Sequence, residues 1–186
     1  FSHKAETVKP YYYQVYLAEH DVVAELAPTE RAAAFRLTYP EKEMSYLVVD
    51  AYSGGNAEVI GDRNMIVGYS TANHGGVTEN FRNWFVVVSD TPFETQTVDG
   101  HIAMVGFKTV KGQKVNLKVA SSFISQEQAE LNLNELSGRS FDEIAEAGRA
   151  RWNEVLGRIA VEDDNLDNLR TFYSCLYRSV LFPRDL

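Results

Sequence analysis

Residues 115–134 read VNLKVASSFISQEQAELNLN, and the chain changes character inside them. Val115, Leu117, Val119 and Phe123 alternate as in a strand with one apolar face. Ser125 to Gln128 then has the spacing of a capping box, in which the Ser125 hydroxyl accepts from the Gln128 amide and the Gln128 side chain reaches back. A second box, Ser140 to Glu143, follows, with Asp142 and Glu143 placed well against a helix dipole. The helix after Ser140 sets Phe141, Ile144, Gly148, Trp152, Val155 and Ile159 on roughly one face.

A last helix is expected from a cap near Asp164 to a stop at Pro183. It carries Leu166, Leu169, Phe172, Tyr173, Cys175, Leu176, Tyr177, Val180, Leu181 and Phe182, apolar residues nearly all round. Such a helix is normally buried. The expectation is therefore that its partners lie outside these residues and that the chain is a piece of a longer protein, with docking on the sheet or dimerisation as the alternatives. Cys175, the one cysteine, cannot form an internal disulfide and is expected to be a small core residue.

Upstream, short β-rich runs follow one another. Tyr11 to Leu17, Val22 to Leu26 and Arg31 to Tyr39 read as strands, and Pro40 interrupts. Tyr46 to Val49 is a short apolar run, expected to be central or buried on both faces. Ala57 to Gly68 holds a strand pair bent at Gly61 to Asn64, and Asn73 to Gly76 is a loop. Phe81 to Val88 is a strand that Thr91 and Pro92 break. Ile102 to Val110 and Lys114 to Phe123 are expected to form a hairpin around Lys111 to Gln113. Phe1 to Glu6 reads as an entry loop. Eight or nine short strands with no intervening helix make the fold mainly β, an antiparallel two-sheet β-sandwich followed by an α-helical linker. The boundary falls near Ser125, giving a sandwich over 1–124 and helical residues over 125–186.

The chain has 186 residues, 45% hydrophobic and 24% charged, and a net charge of −8. That charge leaves no basic surplus for a phosphate backbone, so nucleic acid is excluded as the expected partner. No apolar run reaches membrane length, and no signal peptide or initiator methionine opens the chain. The chain starts inside a strand-like phrase, so the sandwich is expected to be incomplete at its N-terminus.

Several segments resemble one family. SSFISQEQAELNLN (121–134), FDEIAEAGRARWNEVLGRIAVE (141–162) and RTFYSCLYRSVLFPR (170–184) are similar to the segment joining the two domains of glycoside hydrolase family 92, the calcium-dependent exo-α-mannosidases. FSHKAETVKPYYYQVYL (1–17) and AELAPTERAAAFRLTYP (24–40) resemble that family's opening segments, with departures at Ala5, Tyr11 and residues 33–35. The resemblance implies a galactose-mutarotase-like supersandwich, with the last helix beginning an (α/α) toroid. It implies inverting hydrolysis of terminal α-mannosides, α-1,2 by expectation, calcium held by the toroid and not by these residues, and a periplasmic, cell-surface or secreted location. The partners it implies are α-mannoside glycans and the catalytic domain of the same polypeptide.

Glycoside hydrolysis needs two carboxyl groups across the scissile bond. No acid pair here stands out, because Asp163 with Asp164 and Asp142 with Glu143 are better read as helix-terminal charges. No residue is assigned as catalytic; the family's acid, base and calcium ligands are expected downstream of Leu186. His3, His20, His74 and His101 lack metal-ligand spacing. A sugar surface wants exposed aromatics beside hydrogen-bonding groups. Tyr11 to Tyr13 and Arg82 to Trp84 have that composition. Trp84, His3, Glu6 and Arg36 are the candidates for a substrate rim or domain interface, Arg36 being more simply read as paired to a carboxylate. The alternative reading is a stand-alone carbohydrate-binding or interaction sandwich.

Overall fold

The computed structural model describes residues 3–181. The expected stop at Pro183 and the apolar Phe182 lie outside the described residues. Eleven strands run in order: β1 (Glu6–Lys9), β2 (Tyr12–Leu17), β3 (Val22–Pro28), β4 (Ala32–Tyr39), β5 (Lys42–Asp50), β6 (Asn56–Ile60), β7 (Met65–Ser70), β8 (Asn83–Ser89), β9 (Thr95–Asp99), β10 (Ile102–Thr109) and β11 (Gln113–Ser122). Three helices follow: α1 (Gln126–Asn132), α2 (Phe141–Leu156) and α3 (Leu166–Ser179). The strands form an eight-stranded sheet ordered β1-β2-β3-β4-β11-β8-β7-β6 and a three-stranded sheet ordered β5-β10-β9. Every pairing is antiparallel. The fold is the mainly β sandwich with a helical segment after it.

Alternation along the central strands produces two cores. One face of the larger sheet meets the smaller sheet through Ile66, Val87, Val115 and Leu117 against Ala103, Val105 and Phe107. The other face meets the helices through Ala27, Ala34, Met65, Val86 and Ala120 against Ala129, Leu136, Phe141 and Ile144. The small side chains on the helix side let α1 and α2 approach the sheet closely. Gly68 has a similar role within the sheet, since a Cβ there would run into the Asn56 carbonyl of β6.

Four expectations are corrected. β10 and β11 are not a hairpin. They flank the turn at Gly112, whose φ is +77°, and belong to different sheets. Phe107 and Val115 both point into the space between the sheets, so the two strands pack face to face. β5 is not central. It is an edge strand on which Tyr46 and Val48 are 51% and 55% exposed, while Ser45 is buried and Leu47 and Val49 pack on the inter-sheet core. Its apolar outer residues hid the alternation. Phe123 lies beyond β11 and is 71% exposed rather than continuing the buried face. β1 and β9 add two strands the reading missed, because ETVK and TQTVD are short and polar.

The helix caps divide. Ser140 and Glu143 form the full reciprocal box: Glu143 N–H donates to Ser140 Oγ at 3.3 Å, and Ser140 N–H donates to Glu143 Oε2 at 2.8 Å. At α1 only half the box forms. Ser125 Oγ accepts from Gln128 N–H at 3.1 Å, but the Gln128 amide donates to Asn132 Oδ1 at 3.0 Å instead of reaching back. The cap expected near Asp164 is Asn165, which accepts from Asp167 N–H at 2.9 Å.

α3 is not apolar all round. Leu169, Phe172, Tyr173, Leu176, Tyr177 and Val180 form one half-buried stripe at helical spacing, and none is fully buried. Trp152 of α2 meets Tyr177 at a ring separation of 5.0 Å. Cys175 lies off the stripe and is exposed, which corrects its expected place in a core.

Candidate functional site

Pairing registers decide how the four candidate residues relate. Arg36 stands opposite Asn116, and Trp84 opposite Ser122, both on β11. The six-residue offset is even, so Arg36 and Trp84 share the helix-side face, separated by roughly 20 Å along the strand. Glu6 stands opposite Val15, whereas Gln14, Glu25 and Arg36 align across β2, β3 and β4. The odd offset puts Glu6 on the other face, and His3 goes with it. The fold therefore yields three separate clusters rather than one rim.

The first cluster is the joint between sheet and α2. Arg36 donates from Nε to Glu25 Oε2 and from Nη2 to Glu25 Oε1, both at 2.7 Å. Its Nη1 donates to Asp142 Oδ1 at 2.9 Å, and its guanidinium sits 4.2 Å over the Phe141 ring. The Tyr12 hydroxyl lies 2.7 Å from Glu25 Oε1 and 2.8 Å from Gln14 Oε1. The Arg36 bonds hold the Glu25 carboxyl below the usual carboxylate range against the opposing effect of burial. Burial first, and then the bond to Glu25, push the Tyr12 hydroxyl up to about 12. The Arg36 guanidinium, bonded to Glu25, is pushed up from an already high value. Glu25 and Arg36 are thus held in their ionised forms and the Tyr12 hydroxyl in its neutral form, which suits a joint and not proton transfer.

The second cluster is at the edge strand β1. His3 Nδ1 lies 3.0 Å from Glu6 Oε2, and the Tyr13 hydroxyl donates to Glu6 Oε1 at 2.8 Å. The bonds from His3 and Tyr13 hold the Glu6 carboxyl below its ordinary range. A carboxylate held this way can accept from sugar hydroxyls but is a poor general acid.

The third cluster carries the sugar-binding composition. Trp84 packs edge-on to Tyr69 with centroids 4.9 Å apart, and the Arg82 guanidinium lies 4.8 Å over the Tyr69 ring. Phe81 and Phe123 stack at 5.6 Å, and Phe123 and Ile124 are 71% and 79% exposed. The Asn83 side-chain oxygen is buried without a hydrogen-bond partner. Trp84 is half-buried against the helix-side core. Tyr69 and Phe123 escaped the sequence reading because only the register of β7 with β8, and the exit of β11, bring them to Trp84 and Phe81.

Between α2 and the strand turns lies an open groove of about 1060 Å³, lined by Pro10, Pro28, Gly148, Arg151, Trp152 and Leu181 among others. Among the described residues no group of three His, Cys, Asp or Glu side chains could hold a metal ion. Glu6, Glu25, Glu135, Glu143 and Asp163 all shift downward, the opposite of what a proton donor to a leaving oxygen requires.

The glycosyl hydrolase family 92 N-terminal domain model matches residues 1–134, and the family's catalytic domain model matches residues 128–186. The chain belongs to glycosyl hydrolase family 92. Its fold superposes with a TM-score of 0.90 and 37% identity on a family 92 inverting mannosidase from Bacteroides thetaiotaomicron, covering 99% of this chain and 27% of that one. A second family 92 α-mannosidase from the same organism superposes at 0.81 with 25% identity, covering 98% of this chain and 27% of that one. An uncharacterised secreted glycosidase from Arthroderma benhamiae is 32% identical over 77 residues, 39% of this chain and 10% of its own length. The chain thus spans just over a quarter of the solved family 92 chains named here. No helix among the described residues is long and apolar enough to cross a membrane.

Proposed function

We propose that these residues are the non-catalytic N-terminal part of an exported, inverting exo-α-mannosidase that removes terminal α-mannosides, α-1,2-linked ones first. The observation carrying this reading is the superposition at 0.90 over 99% of the chain on an inverting mannosidase, with the catalytic-domain model entering at residue 128. In physical terms, a raised-pKa acid protonates the leaving oxygen and a carboxylate activates water on the opposite face of the sugar. Those two carboxyls and the calcium belong to polypeptide beyond Leu186. Calcium, when bound there, supplies a fixed charge that holds and orients sugar hydroxyls.

The described residues hold the geometry. The sandwich walls one side of the pocket, with Trp84 on its helix-side face toward the rim or the domain interface, while His3 and Glu6 lie on the opposite face of the sheet. Arg36 fixes the helical segment on the sheet. The domain boundary falls near Ser125, and α3 begins the catalytic toroid.

The test is mannose release from α-1,2-mannobiose by the longer polypeptide, with and without a calcium chelator. Release that the chelator abolishes is the expected result. No release from any α-linked mannobiose by a folded, calcium-loaded sample rejects the reading.

A further inference from the structure

The strands of the smaller sheet alternate between an inner face and an outer one. Ala103, Val105 and Phe107 of β10 point into the inter-sheet core, so Met104 and Gly106 point outward. Gly106 pairs with Tyr46 of β5 on one side and with Thr95 of β9 on the other, and all three share the outer face. A solvated sheet face is normally polar. Here Tyr46, Val48 and Met104 stand on it, 51%, 55% and 36% exposed.

Gly106 makes the room on this face. A Cβ there would run into Thr95 Oγ1 and would lie 2.7 Å from Met44 Sδ and 3.1 Å from Tyr46 Cε1. Side chains from both flanking strands therefore close over the glycine, and the Tyr46 ring leans across it. The Thr95 hydroxyl donates to Met44 Sδ at 3.8 Å, a weak acceptor that a stronger partner can replace. The next row along the sheet is Val48, Met104 and Thr97, and the row after that has Asp50 and Asp99 at its two ends. An aromatic and aliphatic centre thus has hydroxyls along one side and carboxylates at one end.

Size and charge select the occupant of this face. Three strands at about 4.8 Å and four residues of rise at about 3.4 Å give roughly 14 by 14 Å, or about 200 Å². A stable contact between two protein copies takes about 800 Å² from each. The two carboxylates disfavour phosphates and anionic lipid surfaces. A small neutral ligand with an apolar side and many hydroxyls fits both limits, and that is the chemistry of a sugar.

We propose that the outer face of the smaller sheet is a carbohydrate-binding surface for α-mannoside glycans. Tyr46 packs on the C–H face of one sugar, Thr95 and Thr97 hydrogen-bond to its hydroxyls, and Asp50 or Asp99 accepts from a neighbouring sugar. No bond is made or broken there; the surface holds the glycan on the protein. The choice of mannose rests on the reading of the chain as part of a family 92 mannosidase, whereas the surface itself rests on the geometry of the face.

The test is electrophoresis of the full-length polypeptide through gels holding soluble α-mannan or, as a control, dextran. Tyr46→Ala removes the ring. Thr97→Arg keeps Tyr46 and places a long charged side chain on the same face. Circular dichroism shows whether each variant folds, and Thr97→Arg decides alone where Tyr46→Ala does not. The expected result is retardation by mannan and not by dextran, about tenfold weaker in each folded variant, the scale of one lost aromatic contact. Equal retardation of the variants and the unmodified polypeptide overturns the proposal. So does no retardation by mannan, or retardation by dextran as strong as that by mannan. Self-association that Tyr46→Ala abolishes, without retardation by mannan, makes the occupant a second copy and overturns it as well. Mannose release from α-1,2-mannobiose by the unmodified polypeptide is read separately. Release without variant-sensitive retardation rejects the surface alone, and variant-sensitive retardation without release rejects the mannosidase reading alone.

Discussion

α2 and α3 begin alike and are held differently. Each has a side-chain cap and an acid in its first turn, and each presents an apolar stripe at helical spacing. α2 seats Phe141 and Ile144 in the helix-side core, and its first turn is tied to the sheet through Asp142 and Arg36. α3 has no fully buried residue and touches α2 through the Trp152 and Tyr177 rings. Capping makes a helix start, but burial against a partner makes it stable. The difference separates a helix that the sandwich itself holds from one that it does not.

Removing Arg36 should have the largest effect. Its side chain is 15% exposed and that of Glu25 10%, so Arg36→Ala strands a carboxylate under the sheet–helix joint. The expected loss is about 3–5 kcal/mol in chemical denaturation. Arg36→Lys should recover only part of it, because an ammonium cannot reproduce the two-pronged bond to Glu25. A loss under 1 kcal/mol for Arg36→Ala would show that the joint is not held this way.

Next come cavities on the two helices. Ile144→Ala in α2 should cost about 2–5 kcal/mol, whereas Leu169→Ala in α3 should stay near 0.5 kcal/mol in this chain. Equal costs would erase the contrast between the helices. In the full-length enzyme the α3 substitution should become costly, if α3 opens the toroid. The Ser140 cap is a smaller lever: Ser140→Ala should cost about 0.5–2 kcal/mol, and Ser125→Ala, with only half a box to lose, should fall at the low end.

The pH dependence follows from Glu25. Its folded pKa lies below its unfolded one, so its contribution is complete above the ordinary Glu value of about 4.3 and disappears as pH falls through the lower folded value. Denaturation midpoints of the chain should therefore drop below about pH 4. That part of the slope should vanish in Glu25→Gln, and an unchanged slope would remove Glu25 from the account.

The order of the strands, the switch to helices and the Ser140 box could all be read from the residues, because alternation and capping are local signals. Pairing was not local. Gly112 connects two neighbouring strands that belong to opposite sheets, and nothing in Lys111 to Gln113 separates that from a hairpin. The outward Tyr46 and Val48 made an edge strand look central. Cys175 looked like a core residue because its apolar neighbours, Leu176 and Tyr177, lie on the stripe while it does not. For the candidate site, the pairing of Arg36 with a carboxylate was legible in kind. That the carboxylates are Glu25 and Asp142, and that His3 and Glu6 lie on the opposite face, depends on register.

The central claim is that these residues build the scaffold and leave the chemistry to the rest of the enzyme. It is tested most directly by mannose release from α-1,2-mannobiose by a purified chain of verified 186-residue mass, with circular dichroism confirming the β fold. The account predicts no release, with or without calcium, alongside chelator-sensitive release by the full-length polypeptide. Sustained turnover by the 186-residue chain would contradict it and place the acid and base among the residues described above.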